Sequence, residues 1–463
     1  MLSPRARCQV WSAVVDGGLT NASLNSKGTA VLLLKQVLAR VPAAGIWHVL
    51  SPGIVRLLLN HTKGEENYLF SLVKMTLEQL PKVVSDDEEV QAQVAASLLR
   101  RGTIRFDSLA GVPVVSSLVK GMGQEALNAH VEFLKGVVQG QAGWADRQET
   151  PSTAEETPDE TAQGSVAERA QAVEALYSLA RSGGGAGGGG GGGDGGGGKK
   201  KGGDGRSAAL AALKAGGVQA QGQRLKSTAV FFLEAGFFAP ADGGGWVVAP
   251  LPAKLSELCR SKFFSVVADI AAKPLFWQTN SGDTTTTTTS KKKSDKSSSS
   301  AAASLGEGPA ASGALEALWG LHQAWQGLEK GGRKFVKGVA VGLDEREMCS
   351  VALGVVGRIR AGAASGDKLG SAFAGILLMV SLHLLDGSKG DNRGGERCQH
   401  ILDLVETYGR ISGTGAGDDD DDDEEEDEDG TDPDPLSMLA DVLVAVVAEP
   451  STHSVRGLRD TAR

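Results

Sequence analysis

Dense carboxylates come first among the residues that could do chemistry. Asp418–Asp429 is an unbroken run of twelve acidic residues, and metal-assisted phosphoryl transfer and general acid–base work both draw on paired carboxylates. Such reactions need the carboxylates held a few ångströms apart on rigid elements. A block of like charges repels itself and extends, so no fixed coordination geometry is available. The run reads as a solvated tether and not as a metal site. Phosphate-binding loops are the second candidate. "GAASGDK" (Gly362–Lys368) and "GLEKGGRK" (Gly327–Lys334) have the glycine and lysine content, yet neither sets Gly-Lys-Ser/Thr at P-loop spacing.

The seven histidines are scattered, with no HxxxH or HExxH pair and no GxSxG elbow elsewhere. His130 and His383 fall in helical stretches and read as packing or partly exposed groups, not ligands. No catalytic set, cofactor or small-molecule substrate is therefore expected, and the chain reads as a non-enzyme. The flexible lysines are a different matter. Lys199, Lys200 and Lys201, and Lys291, Lys292, Lys293 and Lys296, are short basic clusters in low-complexity surroundings. They suit nucleic-acid contact or nuclear import, and they suit equally the plain solubilising role of charged residues in a loop.

Charge follows the same division. The net charge is −9, while Asp418–Asp429 alone carries −12, so the rest of the chain sums to +3. The acidity belongs to one tether, not to the folded surface. Cys8, Cys259, Cys349 and Cys398 are far apart with no CxxC pair, which fits reduced, mostly buried thiols of an intracellular protein better than a disulfide or zinc framework. The N-terminal "MLSPRARCQVWSAVV" has no continuous apolar core of a secretory signal. The most apolar stretch, Ser371–Leu385, is shorter than the roughly 20 residues a bilayer requires, so it reads as a buried helix and no membrane partner is expected.

The elements that would position any site are helical almost everywhere. Val31, Leu34, Leu38 and Val41 recur at three- and four-residue spacing, and so do Leu69, Leu72, Val73, Leu77 and Leu80 before a stop at Pro81. "SDDE" at Ser85–Glu88 has the form of a capping box, opening a helix with Val90, Val94 and Leu98 on one stripe. After a break at Gly121–Gly123, Leu127, Val131, Leu134 and Val138 form the next stripe. Further helices are expected at Leu225–Phe232, Leu255–Ile270, a Met348, Val351, Val355, Ile359 stripe, Leu369–Leu385, and an Ile401, Leu402, Val405, Tyr408 stripe. Only "WVVAP" (Trp246–Pro250) hints at extended chain. Beyond the acid run, Asp434-Pro435 can open a helix whose face carries Leu436, Leu439, Leu443, Val446 and Val447, expected to dock near Ile401–Tyr408.

The fold class is thus all-α, an irregular HEAT- or armadillo-like solenoid interrupted by long disordered low-complexity inserts; a helical bundle has the same periodicity. The expected map runs 1–140 helical repeats, 141–165 linker, 166–182 helix and 183–206 Gly-rich insert. It continues with 207–278 helical repeats, 279–313 Thr/Ser/Lys insert, 314–410 helical repeats, 411–435 acidic tether and 436–463 C-terminal helices.

Four stretches in order resemble one family. They are "GTIRFDSLAGVPVVSSLVKGMGQEALNAHVEFLKGVV" (Gly102–Val138), "ERAQAVEALYSLARS" with "RLKSTAVFFLEAGFF" (Arg224–Phe238), "LSELCRSKFFSVVADI" (Leu255–Ile270), and "DPLSMLADVLVAVVAEPSTHSVRGLRD" after an acidic spacer. Together they are similar to the DNA polymerase V / Myb-binding protein 1A family, also called DNA polymerase phi. The resemblance implies a nucleolar and nuclear α-solenoid scaffold that co-regulates rRNA gene transcription and ribosome biogenesis. Its partners would be nuclear and nucleolar proteins, transcription factors among them, with rDNA or pre-rRNA. Family members extend further at both ends, including a basic tail, so the chain reads as a fragment or an incomplete gene model. The other reading of the same residues is an acidic carrier or chaperone for basic cargo such as histones or ribosomal proteins.

Overall fold

Glycine, proline and Asx residues punctuate the chain into helices short enough to pack on their neighbours. The computed structural model describes residues 9–64, 68–140, 158–182, 204–239, 251–272, 310–337, 339–362, 368–386 and 393–412. Among these residues the fold is all-α, with an isolated antiparallel bridge between Phe238 and Phe335. No helix of the described residues is long and apolar enough to cross a membrane. Most of the Gly-rich (183–206), Thr/Ser/Lys (279–313) and acidic (411–435) segments lies outside the described residues, as do "WVVAP" and Leu436–Val447, while their ends 204–206, 310–313 and 411–412 belong to helices. The chain divides into two compact units, Met1–Arg206 with Pro240–Cys259, and Ser207–Ala239 with Arg260–Arg463.

The first unit opens with a π-helical segment, Ser12–Leu19. Helices follow at Leu24–Leu38 (α1), Ala43–Val49 (α2), Pro52–Asn60 (α3), Phe70–Val83 (α4), Glu88–Arg101 (α5), Phe106–Ala110 (α6), Val114–Gly121 (α7), Gln124–Gln139 (α8) and Pro158–Arg181 (α9). Its main packing partners are close in chain order: α1 touches α2, α3 and α4, α5 touches α2, α3, α7 and α8, and α8 touches α9. Such near-neighbour packing is how stacked helical repeats bury their apolar faces. The expected stripes form its core: Val31, Leu34, Leu38, Val73, Leu77, Leu80, Val90, Val94, Leu98, Leu127, Val131, Leu134 and Val138 are all buried. Each such side chain is worth about 1.5–3 kcal/mol when fully removed from water.

Local details depart from the expectation in three places. Pro81 sits inside α4, which runs on to Val83; in a last turn the ring forfeits a single bond, and packing of Val73, Leu77 and Leu80 outweighs it. The cap of α5 is Asp87, not Ser85: the Asp87 carboxylate accepts from the amides of Glu89 (2.9 Å) and Val90 (3.1 Å), while Ser85 Oγ turns back to the Lys82 carbonyl (2.9 Å). Val41 falls outside α1 and is only half-buried.

The second unit contains most of Asp204–Phe237 (α10), the latter part of Ala253–Ala272 (α11), and Ala310–Lys330 (α12), Leu343–Gly362 (α13), Lys368–His383 (α14) and Arg393–Ser412 (α15). α14 packs on α12, α13 and α15, which is why Ser371–Leu385 is apolar nearly all round: Phe373, Ala374 and Leu377–Leu385 are all buried, and only Ala372 is exposed. Two stripes rotate from their expected register. On α13 the buried line is Cys349, Ala352, Val355, Val356 and Ile359, leaving Met348 and Val351 half-buried. On α15 it is Ile401, Leu404 and Thr407, leaving Leu402 41% exposed. Where a helix has apolar residues on adjacent faces, its neighbours choose the buried one.

The stretches that carry the family resemblance have structural work. Phe106 is fully buried, and Asp107 caps α7 from the preceding helix. Its carboxylate accepts from the amides of Val115 (2.8 Å) and Ser116 (2.9 Å) and from Ser116 Oγ (2.7 Å). The two Phe-rich stretches meet each other: Phe237 lies edge-on to Phe263 (5.5 Å between ring centroids) and Phe264 (5.9 Å). Gly236 lets them approach, because a Cβ there would stand 2.9 Å from the Arg260 amide nitrogen.

Candidate functional site

Sequence reasoning pointed to Lys199, Lys200, Lys201, Lys291, Lys292, Lys293 and Lys296, and all seven lie outside the described residues. What the structure does bring together was not visible as a motif. His322 on α12, Cys349 on α13 and Ser381 on α14 are 27 and 59 residues apart and meet in the core of the second unit. His322 Nε2 stands 3.0 Å from Ser381 Oγ and 3.0 Å from the Leu378 carbonyl. A carbonyl only accepts, so Nε2 carries the proton. Ser381 sends its own hydrogen to the Leu377 carbonyl (2.8 Å). That leaves Nδ1 as the acceptor facing Cys349 Sγ at 3.8 Å.

A serine, a histidine and a cysteine in mutual reach invite a nucleophilic reading, and the bond directions oppose it. A base must take the nucleophile's proton, but the nitrogen beside Ser381 already bears one. Burial pushes the Cys349 thiol up to about 12, with Glu329 adding to the rise, so the thiolate that would attack is not formed. Burial pushes His322 down to about 4. With His322 and Ser381 fully buried, the cluster is an internal polar tie joining three helices.

His383 makes a second such contact. Its ring stacks on Phe264 (4.7 Å, 10° between planes), and Arg397 Nη1 donates to its carbonyl (2.9 Å). Burial, with the Arg397 charge, holds the imidazole down to about 3. In the first unit His130 is buried and held near 4 by burial alone. The reading of His130 and His383 as packing groups is the one their surroundings fit. Also in the first unit, Trp11 Nε1 donates to the Val49 carbonyl (3.1 Å) and Arg101 Nη1 to that of Leu50 (2.9 Å). Asp16 takes the Ser51 hydroxyl, which itself accepts from the Ile54 amide (3.2 Å) at the start of α3. Burial raises the Asp16 carboxyl and lowers Arg101 to about 10, and the Arg101 guanidinium lies 3.7 Å over the Trp47 ring.

"GLEKGGRK" is the sequence feature the structure reinterprets. Its glycines close the C-terminus of α12. Gly332 has φ +74°, its amide donates to the Glu329 carbonyl (3.0 Å), and the Arg333 amide to that of Leu328 (3.2 Å). This is the Schellman pattern, which turns carbonyls toward the loop. A P-loop presents amides at a helix N-terminus, so the polarity is the reverse of a phosphate cradle. "GAASGDK" lies outside the described residues except at its two ends. Among the described residues no group of three His, Cys, Asp or Glu side chains is placed to hold a metal ion.

The described fold is an all-α protein whose helices pack mainly on chain neighbours and whose buried polar groups serve to join them. Its sequence matches the profile of the DNA polymerase phi family over residues 8–457, and the chain belongs to that family. It is also similar to the rDNA transcriptional regulator pol5 of Schizosaccharomyces pombe (strain 972 / ATCC 24843), at 27% identity over 112 residues. That alignment takes in 24% of this chain and 12% of the relative's length. No solved structure matches the chain significantly.

Proposed function

We propose that this protein is a non-enzymatic scaffold that regulates rRNA gene transcription and supports ribosome biogenesis in the nucleus and nucleolus. Its partners are nuclear proteins, including transcription factors, together with rDNA or pre-rRNA. The observation that carries this reading is the family match over 8–457 combined with similarity to a regulator of rDNA transcription. The internal character of the His322–Ser381–Cys349 cluster supports the non-enzymatic part, since the most catalytic-looking constellation among the described residues has its protons committed elsewhere.

The test is to deplete the protein in cells and follow pre-rRNA synthesis and the occupancy of rDNA by crosslinking. Pre-rRNA synthesis should fall, and a version resistant to depletion should restore it. Unchanged synthesis and no rDNA occupancy would sink the reading. Metal-dependent primer extension by the purified chain would overturn its non-enzymatic part. The acid run Asp418–Asp429 favours a second reading, a carrier for basic cargo such as histones or ribosomal proteins. Deleting it separates the two: lost recovery of basic partners favours the carrier, and unchanged recovery favours the scaffold.

A further inference from the structure

The segment that failed as a P-loop has a second property. Lys330 ends α12, and Lys334 and Lys337 follow on a non-helical strap, Lys337 in the turn that the Val339 amide closes on the Val336 carbonyl (3.1 Å); all three are exposed. The strap is held in place from below. The Val336 amide donates to the Phe237 carbonyl (2.9 Å) and the Ala239 amide to that of Lys334 (2.7 Å). Phe335 stacks on Phe238 at 4.8 Å. Arg333 lies along the same base, donating to the Ala239 carbonyl through Nε (3.2 Å) and Nη2 (3.1 Å) and pairing with Glu234. Beyond the strap, Val339 and Val341 return to the core.

This anchoring sorts the charges. The guanidiniums of Arg333 and Arg346 are spent on carboxylates, Glu234 and Glu329 (2.7 Å) respectively. What faces solvent is a set of ammonium groups, which bind phosphate as compact point charges without the paired geometry a carboxylate rewards. Gly327, Gly331 and Gly332 around them are also exposed, and a Cβ at Gly327 or Gly332 would meet nothing within 4 Å. Those three positions carry no side chain of their own. The acids that open α13, Asp344, Glu345 and Glu347, come after the strap and moderate the local field.

We infer that Lys330, Lys334 and Lys337 form a sequence-independent contact for the phosphate backbone of a nucleic acid. This rests on the proposed role at rDNA and adds to it a folded surface, distinct from the lysines of the low-complexity segments. The interaction is one of charge and position; no base edge is read by it, so it contributes affinity and register but not sequence choice.

The experiment uses the full chain and a fluorescent duplex of about 20 base pairs and random sequence, with binding followed by anisotropy from about 50 to 300 mM salt. Three lysine–phosphate contacts contribute about 2.7 to the slope of log K against log salt. The triple variant K330A/K334A/K337A should lose that much slope and bind at least about tenfold more weakly at the lower salt. The K330R/K334R/K337R variant should keep both, and all variants should melt like the parent. A variant lacking Lys199–Lys201, Lys291–Lys293 and Lys296 should still show the strap's share. A parent that binds no duplex, or a triple variant with the parent's slope, overturns the inference. So does a triple variant that loses only an acidic peptide probe such as polyglutamate, which would make the strap a protein contact. Because the readout is binding in vitro, failure here leaves the depletion result in cells standing on its own.

Discussion

Replacing His383 by phenylalanine should remove much of the acid sensitivity of the second unit. The ring is buried, stacked on Phe264, and its Nδ1 has no hydrogen-bond partner, so phenylalanine keeps the shape and the stacking while deleting the titration. In the unfolded chain a histidine takes up its proton near pH 6.5, whereas burial and Arg397 hold folded His383 down to about 3. Between those values the unfolded state binds the extra proton. Stability is therefore fully present above about pH 6.5 and falls as pH drops, by about 1.4 kcal/mol per pH unit. From pH 7 to pH 5 the loss from this one group is about 2 kcal/mol. Urea titrations followed by tryptophan fluorescence at the two pH values read it directly. The parent should lose about 2 kcal/mol more than H383F over that interval. An equal loss in both proteins would show that His383 is charged in the folded state or reached by solvent, and the burial argument would fail.

Four further outcomes follow from the same geometry. Gly236→Ala should cost about 1–3 kcal/mol by driving α10 and α11 apart, seen as a lower urea midpoint. Gly354→Ala, on α13 with nothing within 4 Å of the added Cβ, should raise stability by up to about 1 kcal/mol through helix propensity. Asp107→Ala strips the cap from α7 and should destabilise the first unit by about 1–2 kcal/mol, measured by chemical denaturation. Cys349, buried and with its thiol pushed up to about 12, should resist iodoacetamide at about pH 8 in the native protein and label fully once unfolded; rapid native labelling would contradict the closed cluster.

The all-α class and the main stripes were legible in the sequence because a 3.6-residue period is a local property. Val90, Val94 and Leu98, or Leu127, Val131, Leu134 and Val138, need only their own helix to declare a face. Compositional bias was equally local, and so was the family resemblance, whose stretches are contiguous. Register failed where it depended on neighbours: α13 and α15 carry apolar residues on adjacent faces, and the partners of each decided that Cys349 and Leu404 turn inward and Leu402 outward. Capping failed for a related reason, since "SDDE" contains three competent residues and only the path of the chain set Asp87 at the helix start.

The polar cluster was beyond sequence reasoning altogether. His322, Cys349 and Ser381 sit on three helices, and nothing in their separation along the chain announces that they meet. The strap shows the same division in one short stretch. The residues of "GLEKGGRK" established, without coordinates, that no P-loop spacing was present. That its glycines close a helix, that Arg333 turns down onto Glu234 and Ala239, and that Lys330, Lys334 and Lys337 are left in solvent are facts of packing between segments about 100 residues apart. Chemistry that depends on local spacing can be read from a sequence; chemistry that depends on which charges are already neutralised by distant partners exists only in the fold, because Coulomb and hydrogen-bond energies act through distance in space.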